Sequence, residues 1–468
     1  MEHLWEKNRN IITKNAGKKL KLKNKMEQCN LTVYKIGDFV LGRRVGFGST
    51  AVVFLAFDLK TGRKYAIKIV DKQLFSNVKF KARINREVLL MRTVKSNYII
   101  QLHNVYENSS HIFLILDYVP GGELYELIRD KGALGTEMST RIFCQVLRCI
   151  AYLHSKGICH RDIKPENVLL DSTHTQIKMI DFGYSYYADC PLIQEYNGTP
   201  EYTAPEVLNR IPYNPYYADI YSCGILLHVM LYGYMPVVHE FSDNGGSGDL
   251  LYKMLQEDPT KRISLKEIFE HPFLKKHFDN FVETPIPHRS YQPIEYPRKD
   301  IINNIVQVFP YLTVDKVLME LTSPNQNTIK EMYTAASQSS LQQNCETEKS
   351  ETLETTTCNK LNRSELSTFF AVPTANSAIP QNSENDFETK KVVCEECTNV
   401  EKARQTIKEI CDDLGVKENT FSTVNGRNQM VFDTIFYTEN GVNKIAIESK
   451  SAGSMLDDIA CLFKTLLG

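Results

Sequence analysis

The hydrophobic pattern of this chain changes its period along the sequence, and that change limits the folds available to it. From about Ile36 the apolar residues fall in short runs typical of strands, joined by glycine-containing turns: DFVLGRRVG, AVVFLAFD and KYAIKIV. Between Phe143 and Leu153 they recur at spacings of three and four, which predicts an amphipathic helix that Gly157 would cap. The sequence therefore predicts an α+β fold in which a small strand-rich lobe precedes a larger helical lobe.

The overall composition is that of a globular protein. The 468 residues include 42% hydrophobic and 24% charged residues, and the formal net charge is −1. A chain of this length has room for about three domains of ordinary size. Because the charges nearly balance, we expect no nucleic-acid partner. Partners must be inferred from specific sites instead.

Neither a membrane span nor a secretory signal is evident in the sequence. The longest apolar stretch, Cys223 to Val238, is too short and too often interrupted by polar residues and glycine to cross a bilayer. The twelve cysteines form no disulfide framework, and the pair Cys394 and Cys397 lacks the second pair that a zinc site needs. These observations favour a cytoplasmic or nuclear protein and argue against a structural metal.

Changes in composition divide the chain outside its central part. Residues 1–35 carry a basic run, Lys18 to Lys25, and are expected to form a flexible arm that could also serve as a nuclear import signal. Residues 337–391 are rich in Ser, Thr, Asn, Gln and Glu, a composition that favours a disordered linker. Apolar periodicity resumes in 392–468, where a hairpin is predicted to turn at residues 440–441.

A glycine-rich loop separates the first two long strand runs. In GFGSTAVV, Gly46 and Gly48 let the backbone approach a phosphate closely because neither residue has a Cβ atom. The spacing also suits a dinucleotide-binding fingerprint, but that fingerprint opens a helix, whereas another strand follows here. The context favours a loop over the phosphates of a nucleotide, with Ala51 in place of a third glycine.

Two charged residues after this loop are candidates for a phosphate site. Lys68, in the run AIK, could hold phosphate oxygens through its ammonium group if a carboxylate fixes its position. Glu87, within the helical stretch INREVLLM, is the candidate carboxylate. A lysine or glutamate alone would ordinarily be a surface charge, so the pair gains its meaning from the motifs that follow.

Three motifs follow in order: HRDIKPEN at His160 to Asn167, DFG at Asp181 to Gly183 and APE at Ala204 to Glu206. With the glycine-rich loop they form the dispersed set of phosphate, metal and hydroxyl contacts that phosphoryl transfer requires. Residues of about 36 to 274 resemble a eukaryotic Ser/Thr protein kinase domain. Within that family the chain looks like the calcium/calmodulin-kinase group and its AMPK-related, SNF-like members, with checkpoint kinases as the alternative.

The resemblance implies a role for each motif residue. Asp162 would orient the substrate hydroxyl and accept its proton, and Lys164 would steady the γ-phosphate of ATP. Asn167 and Asp181 would bind Mg²⁺. The other residues implied in nucleotide binding are Val45, Gly46, Phe47, Gly48, Val53, Ala66, Lys68, Glu87, the gatekeeper Leu116, the hinge from Asp117 to Val119, Glu123 and Leu169.

The same resemblance assigns supporting roles to buried residues. His160 and Phe182 would belong to a hydrophobic spine. Glu206 and Arg262 would form an ion pair, and Asp219 would accept hydrogen bonds from the backbone of the catalytic loop. None of these residues is expected to take part in the chemistry itself.

Acidic residues predict a preference for basic protein substrates. Glu123 and Glu166 resemble the carboxylates with which basophilic kinases hold an arginine upstream of the acceptor, although Glu123 could instead contact the ribose of ATP. Glu195 stands where AMPK-related kinases usually carry a phosphorylated threonine, so it could pair with Arg161 without modification. The sequence thus predicts a basic-directed kinase that needs no upstream kinase.

The C-terminal region resembles parts of the same subfamily. Residues 299–336 resemble ubiquitin-associated-like helices, and residues 392–468 resemble a kinase-associated domain. The latter segment holds eight Lys and Arg against twelve Asp and Glu, a balance of −4, which disfavours a membrane and favours docking onto the kinase domain within the chain. A catalytically inactive scaffold is the alternative from another class, but the residues needed for the chemistry are all present.

Overall fold

The computed structural model describes residues 35–48, 51–188, 192–236, 246–278, 294 and 296–338, together with the C-terminal segments 390–394, 408–409, 412–413, 417–418, 431–439 and 442–449. These residues divide into two compact units. The larger unit takes Phe47–Val53 and the described residues from Ala66 to 338. The smaller unit takes residues 35–46, Phe54–Tyr65 and the C-terminal segments.

In the larger unit, strands come first and helices follow, as the change of period predicted. Its longer strands lie in the order β4-β6-β5 and are β4 (Lys64–Asp71), β5 (Leu102–Glu107) and β6 (His111–Asp117). The first two residues of β4 belong to the smaller unit. Its helices are α1 (Val78–Thr93), α2 (Leu124–Lys131), α3 (Thr136–Ser155), α4 (Pro205–Leu208), α5 (Pro215–Tyr232), α6 (Ser247–Met254), α7 (Leu265–Glu270), α8 (Pro272–Phe278), α9 (Lys299–Val308), α10 (Val314–Thr322) and α11 (328–338). The α+β prediction is confirmed.

Two short strand pairs bring the motif loops together. Strand β7 (Ile158–Cys159) pairs antiparallel with β10 (Tyr186–Tyr187), and β8 (Val168–Leu170) pairs antiparallel with β9 (Ile177–Met179). The HRDIKPEN loop joins β7 to β8, and the DFG motif lies between β9 and β10. The two pairs therefore place both motifs at one edge of the helical part.

The hydrophobic core of the larger unit centres on α3 and extends into the last helices. Phe143, Ile150 and Leu153 of α3 are fully buried, as their spacing predicted. Ile305 of α9 and Phe309 just after it are fully buried in the same core. Helices α9 to α11 are therefore part of the core of this unit.

Local sequence signals set several helix ends. After α3 the chain turns at Gly157, which has a φ of 71°, a left-handed conformation that glycine adopts without strain. Asn214 caps the start of α5 by accepting a hydrogen bond from the Tyr216 N–H. Ser264 and Glu267 form a reciprocal capping box at the start of α7.

The smaller unit contains strands from both ends of the chain. Strand β1 (Lys35–Ile36) pairs antiparallel with β2 (Phe39–Phe47), which neighbours β3 (Ala51–Asp58). A second sheet has the order β11-β14-β13-β12, from β11 (Lys390–Cys394), β12 (Lys417–Glu418), β13 (Val431–Glu439) and β14 (Val442–Ser449). Glu439 lies opposite Val442, in agreement with the predicted hairpin turn at residues 440–441.

Two predicted boundaries require correction. Helix α11 continues to residue 338, and β11 begins at Lys390, so the predicted linker 337–391 is wrong by two residues at each end. Hydrogen bonding along the helix and pairing with β14 extend both elements beyond the compositional change. The rest of the linker and the N-terminal arm before Lys35 lie outside the described residues. Among the helices that are described, none is both long and apolar enough to span a membrane.

Candidate active site

Lys68 and Glu87 form a buried ion pair. Lys68 lies on β4 and Glu87 on α1, with 2.5 Å between Lys68 Nζ and Glu87 Oε1. Glu87 is only 2% exposed. Although burial alone would lower it, the charges of Glu87 and Asp181 raise the pKa of Lys68 above its ordinary value. Lys68 is therefore held as a cation, which a phosphate ligand requires.

Asp162 lies at the centre of a hydrogen-bonded network. Thr199 Oγ1 donates to Asp162 Oδ1 at 2.8 Å, and Lys164 Nζ lies 2.9 Å from Asp162 Oδ2. Asn167 Nδ2 donates to the carbonyl oxygen and to Oδ2 of Asp162 at 2.7 and 3.0 Å. These contacts hold the carboxylate in one orientation, which is what a group that must meet a substrate hydroxyl needs.

Asp181 is held as a carboxylate in an uncommon backbone conformation. Its φ is 62°, in the left-handed region. Its Oδ1 accepts a hydrogen bond from the Gly183 N–H at 3.2 Å, and its Oδ2 accepts one from Arg83 Nη2 at 2.8 Å. Burial would raise the pKa of Asp181, but the charges of Lys68 and Arg83 outweigh it and lower the pKa to about 2.

Asn167 and Asp181 suit a divalent metal ion. Asp181 offers an ionised carboxylate. Asn167 uses its amide N–H groups on Asp162, so its carbonyl oxygen is the atom with which it can bind a metal. Carboxylate and amide oxygens are the donors that Mg²⁺ accepts in proteins. The residues present therefore fit the metal that the sequence resemblance implies.

A buried aspartate fixes the backbone of the catalytic loop. Asp219 on α5 is 0% exposed and accepts hydrogen bonds from the N–H groups of His160 and Arg161 at 2.9 and 2.8 Å. Its Oδ2 also lies 2.8 Å from His154 Nε2. Burial opposes ionisation, but the hydrogen bond from His154 and the other partners lower the pKa of Asp219. Asp219 therefore occupies the supporting position expected from the sequence.

Two further pairs lie where the resemblance placed them. The rings of His160 and Phe182 are both fully buried, with their centroids 5.3 Å apart. Arg262 binds Glu206 through two hydrogen bonds of 2.6 and 3.0 Å, and both side chains are buried. The guanidinium of Arg262 also lies 5.1 Å from the ring centroid of Tyr221. These contacts support the helical part rather than the chemistry.

Most of the predicted nucleotide-binding residues of the larger unit lie on strands: Phe47, Val53, Ala66, Leu116, Asp117 and Leu169. Gly48 and Val119 lie just after strands, and Glu123 directly precedes α2. The Gly48 N–H donates a hydrogen bond to the Ala51 carbonyl at 2.9 Å. Leu169 on β8 forms an isolated bridge with Glu123. Val45 and Gly46 lie on β2 in the smaller unit.

The side chain of Asp117 is engaged by neighbouring residues of the chain. Its Oδ2 accepts a hydrogen bond from the Gln101 N–H at 3.1 Å, and its Oδ1 lies 2.7 Å from His103 Nε2. Burial would raise the pKa of Asp117, but these hydrogen bonds lower it. A hinge contact at this position would therefore involve the Asp117 backbone rather than its carboxylate.

Arg161 and Glu195 meet as the sequence suggested. Glu195 Oε2 lies 3.2 Å from both Nη1 and Nη2 of Arg161. The Arg161 side chain is 2% exposed, whereas that of Glu195 is 53% exposed. Arg161 Nε also donates to the Tyr184 carbonyl at 2.8 Å. The carboxylate thus joins the catalytic loop to the segment that follows DFG.

Arg83 is the site residue that the sequence analysis missed. It contacts Asp181, yet no motif contains it. The available signal was its position four residues before Glu87 on a helix, since residues at that spacing share one face. Sequence spacing alone does not identify the charged residue on another element that this helix face contacts.

Comparison with known proteins agrees with this geometry. A probable serine/threonine-protein kinase of Dictyostelium discoideum is 36% identical over 65% of this chain and 39% of its own length. CBL-interacting protein kinase 9 of Oryza sativa subsp. japonica is 37% identical over 52% of this chain and 58% of its own length. SNF1-related protein kinase catalytic subunit alpha KIN12 of Arabidopsis thaliana is 34% identical over 60% of both chains.

The chain thus spans less than two thirds of the length of these relatives. Residues 39–274, which carry the motifs, match the protein kinase domain family. These bounds are close to the 36–274 expected from the sequence. Together with the buried Lys68 pair and the Asp162 network, this match shows that the chain belongs to the protein kinase family.

Proposed function

We propose that this protein transfers the γ-phosphate of Mg²⁺-ATP to serine or threonine side chains of other proteins. The observation that carries the proposal is that one unit holds a buried lysine-glutamate pair, a fixed aspartate and two side chains suited to a metal ion. Phosphoryl transfer depends on positioning and charge neutralisation more than on covalent chemistry, and this set supplies both.

Each of these residues has a distinct role in the transfer. Lys68, fixed by Glu87, binds phosphate oxygens of ATP. Asp162 orients the attacking hydroxyl and accepts its proton at a carboxylate oxygen, while the Lys164 ammonium offsets negative charge on the transferred group. Asn167 and Asp181 would hold Mg²⁺, which would neutralise negative charge on the phosphates of ATP.

The test is phosphate transfer to a basic serine peptide by the full chain. Asp162→Asn removes the proton acceptor, so we expect its rate to fall by about 10² to 10⁴. Asp130→Asn is a matched control because Asp130 is an exposed aspartate whose side chain pairs with Arg129 on the surface. Equal rates for wild type and Asp162→Asn, or no transfer by the wild type, would refute the proposal.

We further propose that the enzyme prefers acceptors with basic residues upstream. Glu166 Oε2 is buried, yet it has no hydrogen-bond partner among the described residues. Burial raises the pKa values of Tyr125 and Tyr202, and the nearby charge of Glu166 raises both further. A buried carboxylate oxygen without a partner is costly, and an arginine of a substrate would satisfy it. This observation supports basic-directed recognition.

A peptide library tests this preference. Glu166→Gln should reduce the preference for the upstream arginine by about tenfold or more, the value of a charge-assisted hydrogen bond. Glu137→Gln removes an exposed glutamate on α3 and should leave the preference as in wild type. A wild-type enzyme indifferent to upstream Arg or Lys would contradict this part of the proposal alone.

We also propose that activity requires no phosphorylation by another kinase. The Glu195 carboxylate already lies where it can pair with Arg161. Glutamate carries one negative charge against roughly 1.5 to 2 for phosphothreonine, so the pair would order the segment only in part. Thr199 contacts Asp162 and Lys164, which supports a positioning role rather than a regulatory one. Complete loss of activity after phosphatase treatment would contradict this proposal.

The C-terminal segment is proposed to dock onto the kinase domain as a kinase-associated domain. Within the smaller unit, Asp413 lies 3.3 Å from Arg43 Nε and 2.6 Å from Lys64 Nζ. Such partly exposed pairs are worth only about 0 to 1 kcal/mol each. The closer fit is at Gly42, where an added Cβ atom would lie 2.5 Å from the Asp413 carbonyl oxygen. The contact supports docking by shape as well as by charge.

Removal of residues 390–468 tests this docking. Because β2 leads directly into the glycine-rich loop, we expect removal of the C-terminal segment from β2 to raise the rate of peptide phosphorylation. We expect neither the full chain nor the shortened protein to bind anionic liposomes. Unchanged activity together with liposome binding that only the full chain shows would contradict the proposal.

We also propose that the protein acts in signalling in the cytoplasm, the nucleus or both, as an AMPK-related kinase rather than a checkpoint kinase.

A further inference from the structure

Arg83 reaches across the DFG motif from α1. Its Nη2 lies 2.8 Å from Asp181 Oδ2, and its guanidinium carbon lies 4.0 Å from the ring centroid of Tyr184. At Gly183 a Cβ atom would lie 2.4 Å from Arg83 Nε and 2.6 Å from its Cγ, so a larger residue there would displace the arginine side chain from this position. These approaches to Asp181, Gly183 and Tyr184 fix the arginine in place.

This contact engages an atom that a metal ion would need. The two oxygens of Asp181 accept hydrogen bonds from the Gly183 N–H and from Arg83, and Lys68 supplies a second nearby positive charge. The charge of Asp181 is therefore neutralised within the chain. A guanidinium and a divalent cation that lie against the same carboxylate oxygen repel each other, so the contact with Arg83 opposes metal binding at Oδ2.

We propose that Arg83 is a positioning residue that holds Asp181 before nucleotide arrives and competes with the divalent metal ion for its Oδ2. Metal binding then requires Arg83 to leave Asp181. The face of the Tyr184 ring, already 4.0 Å away, provides a cation-π contact that retains the displaced guanidinium. The role rests on the proposed kinase function, since the metal ion accompanies ATP.

Competition and support predict opposite effects of removing Arg83 on metal-dependent nucleotide binding. If Arg83 only supported Asp181, its loss would weaken metal-dependent nucleotide binding. If Arg83 competes, its loss should strengthen that binding. A charge-assisted hydrogen bond at a partly buried site implies a change of about tenfold in the metal concentration required. The side chains of Arg83 and Asp181 are 24% and 23% exposed, so water screens the contact only in part.

The experiment uses the full chain and a fluorescent, non-hydrolysable ATP analogue. Its binding is measured as Mg²⁺ is raised, for wild type, Arg83→Gln and the control Lys81→Gln, which removes a charge from an exposed position of the same helix. We expect the Mg²⁺ midpoint to fall about tenfold in Arg83→Gln and to stay at the wild-type value in Lys81→Gln. Analogue binding without metal should change little in either variant.

A midpoint in Arg83→Gln that is unchanged or higher would overturn the competition while leaving the kinase function intact. Absence of any Mg²⁺-dependent binding by the wild type would overturn both. Arg83→Lys keeps the charge but loses the planar fork, so a smaller decrease in the midpoint is expected from it. This variant keeps the inference testable if Arg83→Gln does not fold, and an increase in its midpoint would count against the inference.

Discussion

Replacing Tyr311 with phenylalanine should weaken the larger unit, although Tyr311 lies outside the matched kinase domain. Tyr311 follows α9, and its hydroxyl accepts a hydrogen bond from the Tyr187 N–H at 2.9 Å. Its ring stacks on that of Tyr186 with the centroids 4.2 Å apart. Burial raises the pKa of Tyr311, which agrees with a hydroxyl held away from water. The side chain thus joins the last helices to the strand that follows DFG.

The magnitude follows from the one contact that the substitution removes. Phenylalanine keeps the ring and its stacking but removes the hydroxyl that accepts a hydrogen bond from the Tyr187 N–H. Loss of such a partly buried hydrogen bond costs about 1 to 3 kcal/mol. Because Arg86, next to Glu87, donates to the Val308 carbonyl at 3.2 Å, the same loss should also loosen α1. The effect is therefore local in origin but reaches the Lys68 pair.

Two measurements check this prediction. Urea unfolding should show a free energy of unfolding lower by about 1 to 3 kcal/mol in Tyr311→Phe. Hydrogen exchange should show the Tyr187 amide exchanging roughly tenfold faster for each 1.4 kcal/mol lost. Tyr252→Phe is the matched control because Tyr252 is 57% exposed, and its loss should change stability by less than about 0.5 kcal/mol. Unchanged Tyr187 exchange in Tyr311→Phe would refute the reasoning.

Three further predictions concern stability. Arg262→Ala leaves the buried Glu206 carboxylate without its arginine, so thermal unfolding should show a free energy of unfolding lower by about 3 to 5 kcal/mol. Ser264→Ala removes the capping box with Glu267 and should cost about 1 kcal/mol in urea unfolding, with no change in the slope against urea. Because the folded pKa of Asp181 is lowered to about 2, its ionised form stabilises the fold above the unfolded pKa of 3.8, and this contribution is lost as the pH falls towards 2. Stability of Asp181→Asn should therefore fall less steeply over that range in acid titrations monitored by circular dichroism.

Sequence patterns predicted the elements whose signals are local. The spacing from Phe143 to Leu153 gave the face of α3, and Gly157 gave its end, because helix period and glycine turns act over a few residues. The hairpin at residues 440–441 was predictable for the same reason. Motif order identified the chemical residues because the chemistry restricts the residue type at each position.

The contacts between distant elements could not be predicted in the same way. Arg83 meets Asp181 across 98 positions of sequence, and Tyr311 meets Tyr187 across 124. Neither pair belongs to a shared motif, and both depend on how one element packs against another. Asp413 shows the same limit, since its ion pair with Arg43 spans 370 positions. The packing of distant elements brings such residues together, and this packing cannot be read from the order of residues in the sequence.

We expect the protein to form one site for ATP and its metal ion from Lys68, Glu87, Asp162, Asn167 and Asp181. Calorimetric titration of the full chain with a non-hydrolysable ATP analogue, with and without Mg²⁺, tests it most directly. We expect Mg²⁺ to strengthen binding in the wild type and to have little effect in Asp181→Asn, which keeps the shape of the side chain but loses its charge. Binding that Mg²⁺ leaves unchanged in the wild type, or strengthens equally in Asp181→Asn, would contradict the account.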